Sequence, residues 1–212
     1  VKTHGKDGKP LKYPALKPPD AKGYFRFHKL GEGYSGNAMG CPIIVGGYLY
    51  TYSGTTIMKV DKETGLVLKT GTMAGFSSFS INSATYAEGM IFIGLSNGRV
   101  QAFNAETLES LWVYQDALGG QPNCPIAYAD GYIYTGFWNS ETKQANFACL
   151  SVTDEDATKT NEAKLPTWTY THNGFYWAGA YVNSDFVLVT TDDGEGGYTT
   201  GYASILSLNP KT

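Results

Sequence analysis

Gly89–Leu108 reads GMIFIGLSNGRVQAFNAETL, and Gly47–Gly65, GYLYTYSGTTIMKVDKETG, says nearly the same thing earlier in the chain. Two more copies follow, from Gly131 to Asp156 and from Ser184 to Thr212 (SDFVLVTTDDGEGGYTTGYASILSLNPKT). A recurrence of roughly forty residues decides architecture before any single motif is weighed. Each copy is one supersecondary unit, and such units bury their apolar faces on their neighbours.

Working outward from the first copy, Pro42–Val45 is apolar, Gly46 and Gly47 form a turn, and Tyr48–Tyr52 is rich in aromatic and Thr residues. Ser53 and Gly54 turn the chain into Thr56–Val60, Asp61–Gly65 turns it again, and Leu66–Thr70 completes a four-stranded meander. The second copy follows the same course through Ala84–Ala87, Met90–Gly94, Val100–Phe103 and Leu111–Gln115, with turns at Glu88-Gly89 and Asn97-Gly98. Gly and Asn suit such turns because residues at positive φ match the twist of the flanking strands. One small sheet cannot bury both of its faces, so the copies stack. Radial stacking gives a β-propeller; a β-sandwich is the alternative, but it does not require the same sentence in every unit.

Composition agrees with many short strands: 17% charged residues, 14% aromatic residues and 26 glycines in 212 residues. A net charge of −3 lacks the basic surface that nucleic acid requires. The apolar runs are strand-length, so no membrane span is expected. Cys41, Cys124 and Cys149 cannot all pair and show no CxxC spacing. They read as small buried apolar residues, with one disulfide open to an exported protein. Val1–Lys12 is polar and Lys-rich rather than a signal peptide, which leaves a cytosolic protein or a mature fragment of an exported one, the fragment favoured.

Ala102-Phe103-Asn104-Ala105-Glu106-Thr107-Leu108-Glu109-Ser110-Leu111-Trp112 resembles the A-x-[D/N]-x-x-T-G-x-x-x-W signature of PQQ-like (quinoprotein alcohol dehydrogenase-like) β-propeller blades, with Leu108 in place of Gly. Asp61, Thr64 and Gly65 repeat its middle, Lys69 stands where Trp belongs, and Leu208–Thr212 begins the phrase once more. The resemblance implies an architectural role for Asp61, Thr64, Gly65, Ala102, Asn104, Thr107 and Trp112, with the Trp docked between blades. The expected fold is therefore an all-β propeller of four-stranded antiparallel blades, about four blades' worth. A polar extension covers 1–23 and the propeller 24–212, with blades near 40–70, 82–115, 123–171 and 178–212. Residues 24–30 supply an outer strand. Family members usually carry seven or eight blades, so a small ring, a self-associated ring or part of a longer propeller all stay open, the last favoured.

In a four-stranded blade the loop between the second and third strands shares a face with the connection to the next blade. The long loops Trp138–Asn146 and Asp192–Gly201 fall there, with Thr72–Asn82, Asp116–Asn123 and His172–Ala178. Phe76, Phe79, Gln121, Trp138, Phe175, Tyr176 and Trp177 enrich that face in aromatic groups, and packing between blades is their alternative use. Gln121, Trp138, Phe175, Tyr176 and Trp177 are the expected ligand-binding residues, for a protein or a glycan. Asp192, Asp193 and Glu195 lie on a Gly-rich loop but depart from a calcium-loop pattern, and a solvated acidic loop is the simpler reading. The insertion carrying Asp154-Glu155-Asp156 and Thr158–Leu165 is expected on the opposite face, simply solvent-exposed. His4, His28 and His172 are scattered, no phosphate-binding loop is present, and no catalytic residue or cofactor is expected. PQQ and calcium enter only if the chain is part of a quinoprotein dehydrogenase; a lectin-like propeller is a further alternative. A non-catalytic binding scaffold of the bacterial cell envelope or exterior is the leading expectation.

Overall fold

A computed structural model describes residues 40–77, 82–140, 142–175, 177–192 and 203–212. The expected extension over 1–23, the outer strand at 24–30, His4, His28, Phe79, Tyr176, Asp193 and Glu195 lie outside the described residues. Sixteen strands and no helix are present in this set. They are β1 Ile43–Val45, β2 Tyr48–Ser53, β3 Thr56–Asp61, β4 Val67–Thr72, β5 Thr85–Ala87, β6 Met90–Leu95, β7 Arg99–Asn104 and β8 Ser110–Gln115. There follow β9 Ala127–Ala129, β10 Tyr132–Gly136, β11 Ala145–Ser151, β12 Glu162–Lys164, β13 Trp168–His172, β14 Tyr181–Val182, β15 Val187–Asp192 and β16 Ala203–Leu208. They form four sheets, β1-β2-β3-β4, β12-β8-β7-β6-β5, β13-β11-β10-β9 and β14-β15-β16, in which β5–β8 and β9, β10, β11 and β13 make the second and third meanders.

The repeated phrase folds into a repeated turn. Asp61 Oδ1 accepts from the amides of Glu63 and Thr64 at 3.1 and 2.6 Å, and from Thr64 Oγ1 at 2.7 Å. Asn104 Oδ1 takes the amides of Glu106 and Thr107 at 2.8 and 3.0 Å. Asn209 Oδ1 holds the Lys211 amide at 2.8 Å, and in the third blade Ser151 Oγ holds that of Thr153 at 3.2 Å. A short side-chain acceptor satisfying donors two and three residues on is what makes Asp, Asn and Ser turn residues. Gly65 closes the first turn at φ 71°, and Leu108 takes the same left-handed position at φ 59°.

Packing between blades follows from strand alternation. In the second and third blades one face of the sheet meets the blade before it and the other the blade after it. Tyr50, Tyr52 and Ile57 pack on Ile91, Ile93, Leu95 and Phe103. Phe92, Val100 and Trp112 pack on Ile133, Leu150 and Val152. Tyr134, Phe147 and Cys149 pack on Val187 and Val189. At each junction a donor reaches the carbonyl one residue past the turn acceptor of the next blade. Trp112 Nε1 donates to Val152 O at 3.5 Å and Trp168 Nε1 to Pro210 O at 3.0 Å. In the first blade, where Lys69 replaces the Trp, Tyr50 Oη supplies the bond, to Ala105 O at 2.8 Å.

The insertion after β11 corrects the sequence reading in part. Ala157–Asn161 are exposed as expected, but the chain then returns as β12, which pairs in parallel with Trp112–Tyr114 on the outer edge of the preceding blade. Lys164 is buried there, donating to Thr153 O at 2.6 Å and to Glu155 at 2.8 Å. An outer strand otherwise left as an open edge is thereby covered. The cysteines are all free thiols: Cys124 and Cys149 are buried as expected, whereas Cys41 is exposed.

Candidate functional site

Connections between blades and the loops between second and third strands do share a face, and backbone hydrogen bonds lace them together. Ser96 N donates to Phe76 O, Gly98 N to Gly120 O, Asp116 N to Gly98 O, and Phe175 N to Phe137 O. Gln121 and Trp138 exchange both bonds, at 2.8 and 3.1 Å, forming an isolated antiparallel bridge. The face is thus built from loops whose backbone is held by the blades beneath.

On that frame, among the described residues, each connection presents a large apolar side chain to solvent. Phe76 after the first blade is 49% exposed, Leu118 after the second 46%, and Trp177 after the third 56%. Trp177 sits at φ 63° with its amide bonded to Asn123 O at 2.9 Å, a local backbone constraint that throws the indole outward.

The expected binding residues divide. Gln121, Trp138 and Trp177 come together here, with Gln121 also accepting from Asn123 Nδ2 at 3.3 Å. Trp138 is half-buried: its indole lies on Gly174, where a Cβ would overlap the ring, and its Nε1 donates to Asp192 Oδ2 at 3.0 Å. Phe175 is corrected to core. Its ring is fully buried against Phe147, 5.4 Å between centroids, in a space opened by Gly136. An aromatic run in a connection has no periodicity to reveal which member turns inward, and the glycine that admits the ring is distant in sequence.

Sequence reasoning missed the anchor of the face, Asp116. This buried carboxylate accepts from Tyr114 Oη at 2.7 Å, from the Leu118 amide at 2.8 Å and from Asn146 Nδ2 at 3.1 Å on each oxygen. Asn146 in turn takes a bond from Thr171 Oγ1 at 2.6 Å, so one network ties two blades to the connection. Burial and the neighbouring carboxylate push the Tyr114 phenol far above its ordinary range. The signal available was Asn146, a lone amide inside the otherwise apolar strand Ala145–Leu150.

Asp192 is buried and is engaged by the Trp138 indole, and its backbone bonds to Gly174 O and Asn173 Nδ2. Among the described residues no group of three or more His, Cys, Asp or Glu gathers as a cation's donor set. His172, at the end of β13, lies 3.3 Å from Thr191 Oγ1. The face offers aromatic surface and polar backbone, which suits non-covalent recognition. Among the described residues no helix is long and apolar enough to cross a membrane.

No protein-family model matches the chain, and no curated protein does. Solved structures do. BamB from Moraxella catarrhalis is similar over 81% of this chain and 48% of its own, at 14% identity and TM-score 0.57. Quinohemoprotein alcohol dehydrogenase from Comamonas testosteroni is similar over 81% of this chain and 33% of its own, at 15% identity and TM-score 0.57. The computationally designed Ika4 protein is matched over its whole length and 87% of this chain, at 12% identity and TM-score 0.54. The chain spans about half of the BamB chain and about a third of the dehydrogenase. The likeness is one of fold, an all-β propeller-like arrangement in which the described strands make about four blades.

Proposed function

We propose that the chain is a non-catalytic propeller scaffold of an exported bacterial protein, which binds a protein or glycan partner through the face of inter-blade connections. The observation that carries the reading is the row of Phe76, Leu118 and Trp177, one half-exposed apolar side chain per connection on a hydrogen-bonded frame. Exposed apolar groups are ordinary singly; three on the connections of one face offer a surface for a partner. Trp177, whose amide bonds to Asn123 O two residues from the Gln121–Trp138 bridge, offers a stacking surface of the kind a sugar or a peptide accepts.

The test uses Trp fluorescence against panels of oligosaccharides and peptides. Trp177→Ala and Phe76→Ala leave stability within about 0.5 kcal/mol, as exposed positions do, and remove binding. Retained binding in both variants sinks this face as the site. The likeness to a quinohemoprotein alcohol dehydrogenase sustains one alternative, a segment of a PQQ-dependent enzyme. Dye-linked alcohol or sugar oxidation after addition of PQQ and calcium decides for it.

A further inference from the structure

The first two junctions between blades share a feature that the third lacks among the described residues, a buried lysine. In the first, Lys59 is buried to 2% and donates to Glu106 Oε2 at 2.6 Å and Glu106 O at 3.5 Å, its Nζ 4.1 Å from the Tyr48 ring centroid and 6.0 Å from that of Tyr50. In the second, Lys164 is buried to 3%, reaches Thr153 O at 2.6 Å and Glu155 at 2.8 Å, and lies 5.5 Å from the Trp112 ring centroid. Counted from the turn acceptors Asp61, Asn104, Ser151 and Asn209, Glu106 and Thr153 hold the same position, two residues on. Both of these junctions thus take an alkylammonium group that lies near aromatic ring faces and reaches the carbonyl at the same turn position of the next blade.

The third junction has corresponding receiving parts, and among the described residues no lysine fills them. Strand register puts Tyr132 and Tyr134 where Tyr48 and Tyr50 stand, and Cys149 where Lys59 stands. Lys211 occupies the place of Glu106 and Thr153. Between them is a cavity of about 350 Å³ lined by Asp130, Tyr132, Tyr134, Ser184, Pro210 and Lys211 among others. Its lining includes the turns that contain Asp130 and Lys211, which lie at the end of the blades opposite the inter-blade connections.

We propose that this cleft binds a primary alkylammonium group, as the side chain of a partner's lysine or a free diamine, in the manner in which Lys59 and Lys164 fill its two sister junctions. The stem lies along the Tyr132 and Tyr134 rings, which attract a cation over their faces. The ammonium donates to the Lys211 carbonyl and faces the Asp130 carboxylate. The Lys211 ammonium at the exposed turn opposes it, so the site is tunable by that one charge.

The experiment titrates the protein with n-butylamine, n-butanol and sodium butyrate, following Tyr and Lys211 resonances by NMR. Saturable binding of butylamine with neither control binding is expected. Cys149→Lys, which supplies the internal lysine of the first junction, abolishes it. Lys211→Glu, at an exposed turn, removes a like charge and restores the Glu106 arrangement, tightening binding on the order of tenfold. Cadaverine and an acetyl-lysine-amide peptide separate the sources: tighter diamine binding names a free polyamine, tighter peptide binding a partner protein, and either supports the cleft. Absence of saturable amine binding, butyrate binding as well as butylamine, or Lys211→Glu leaving affinity unchanged overturns the proposal.

Discussion

Leu108 shows how a single residue departs from its repeat and is retained. Its left-handed backbone, φ 59°, costs a non-glycine residue about 1–2 kcal/mol. Its side chain is 2% exposed in the cluster that joins the first two blades. Removing a buried Leu costs about 2–5 kcal/mol, which exceeds the strain relieved. Leu108→Gly, although it restores the blade signature, therefore lowers the denaturation midpoint, and an unchanged or higher midpoint refutes this balance. Cys124 makes a second argument at this scale. Burial pushes its thiol up to about 12 from 9.0, and that of Cys149 to about 11. Both folded values exceed the unfolded one, so the stabilisation is whole below about pH 9 and is lost as pH rises through 9 to 12. Denaturant titrations at pH 8 and 10.5 should show the loss, and Cys124→Ala should make it shallower. A thiol reagent at pH 8 should label Cys41 alone until the protein unfolds.

Among elements, β8 bears the most. Trp112 packs on Phe92 at 5.7 Å between centroids, is 1% exposed, and reaches into the next blade at Val152 O. Trp112→Ala should cost about 3–5 kcal/mol by the lost burial and the cavity left. Trp112→Phe keeps most of the packing and forgoes only a hydrogen bond of 3.5 Å, so about 1 kcal/mol is expected. Equal losses in thermal melts would mean that the bond, and not the ring, joins the blades. The meanders of the first two blades were legible in sequence to within a residue or two at each strand, because turns with side-chain acceptors and alternating apolar residues are local signals. Strand β12 was not. Glu162–Lys164 carries no pattern of its own, and its partner lies on β8, far back along the chain, so only the folded arrangement reveals the pairing.

Over the whole molecule, the repeat leaves one junction face without a neighbour among the described residues. Ile57, Val100 and Phe147, four residues before their turn acceptors, are each 0% exposed, while their counterpart Ile205 is 74% exposed on β16. β16 also lacks a pairing strand on its outer side among the described residues. Such an edge templates association. Light scattering on the 212-residue chain should show concentration-dependent self-association that Ile205→Lys suppresses; association unaffected by that charge rules the edge out. The loop face was foreseen from strand counting, since the parity of strands fixes which loops share an end of the blade. Its membership was foreseen only in part. Phe175 turns inward because Gly136 leaves room for it, and Asp116 is buried because Asn146 and Tyr114 meet it there. By itself the sequence determined the blade, its turns and the number of its copies, since these rest on contacts between near neighbours along the chain. Tertiary structure alone decided which side chains of a connection face solvent, which strand edge the insertion covers and which junction stays hollow, since each depends on groups that are brought together only when the blades pack.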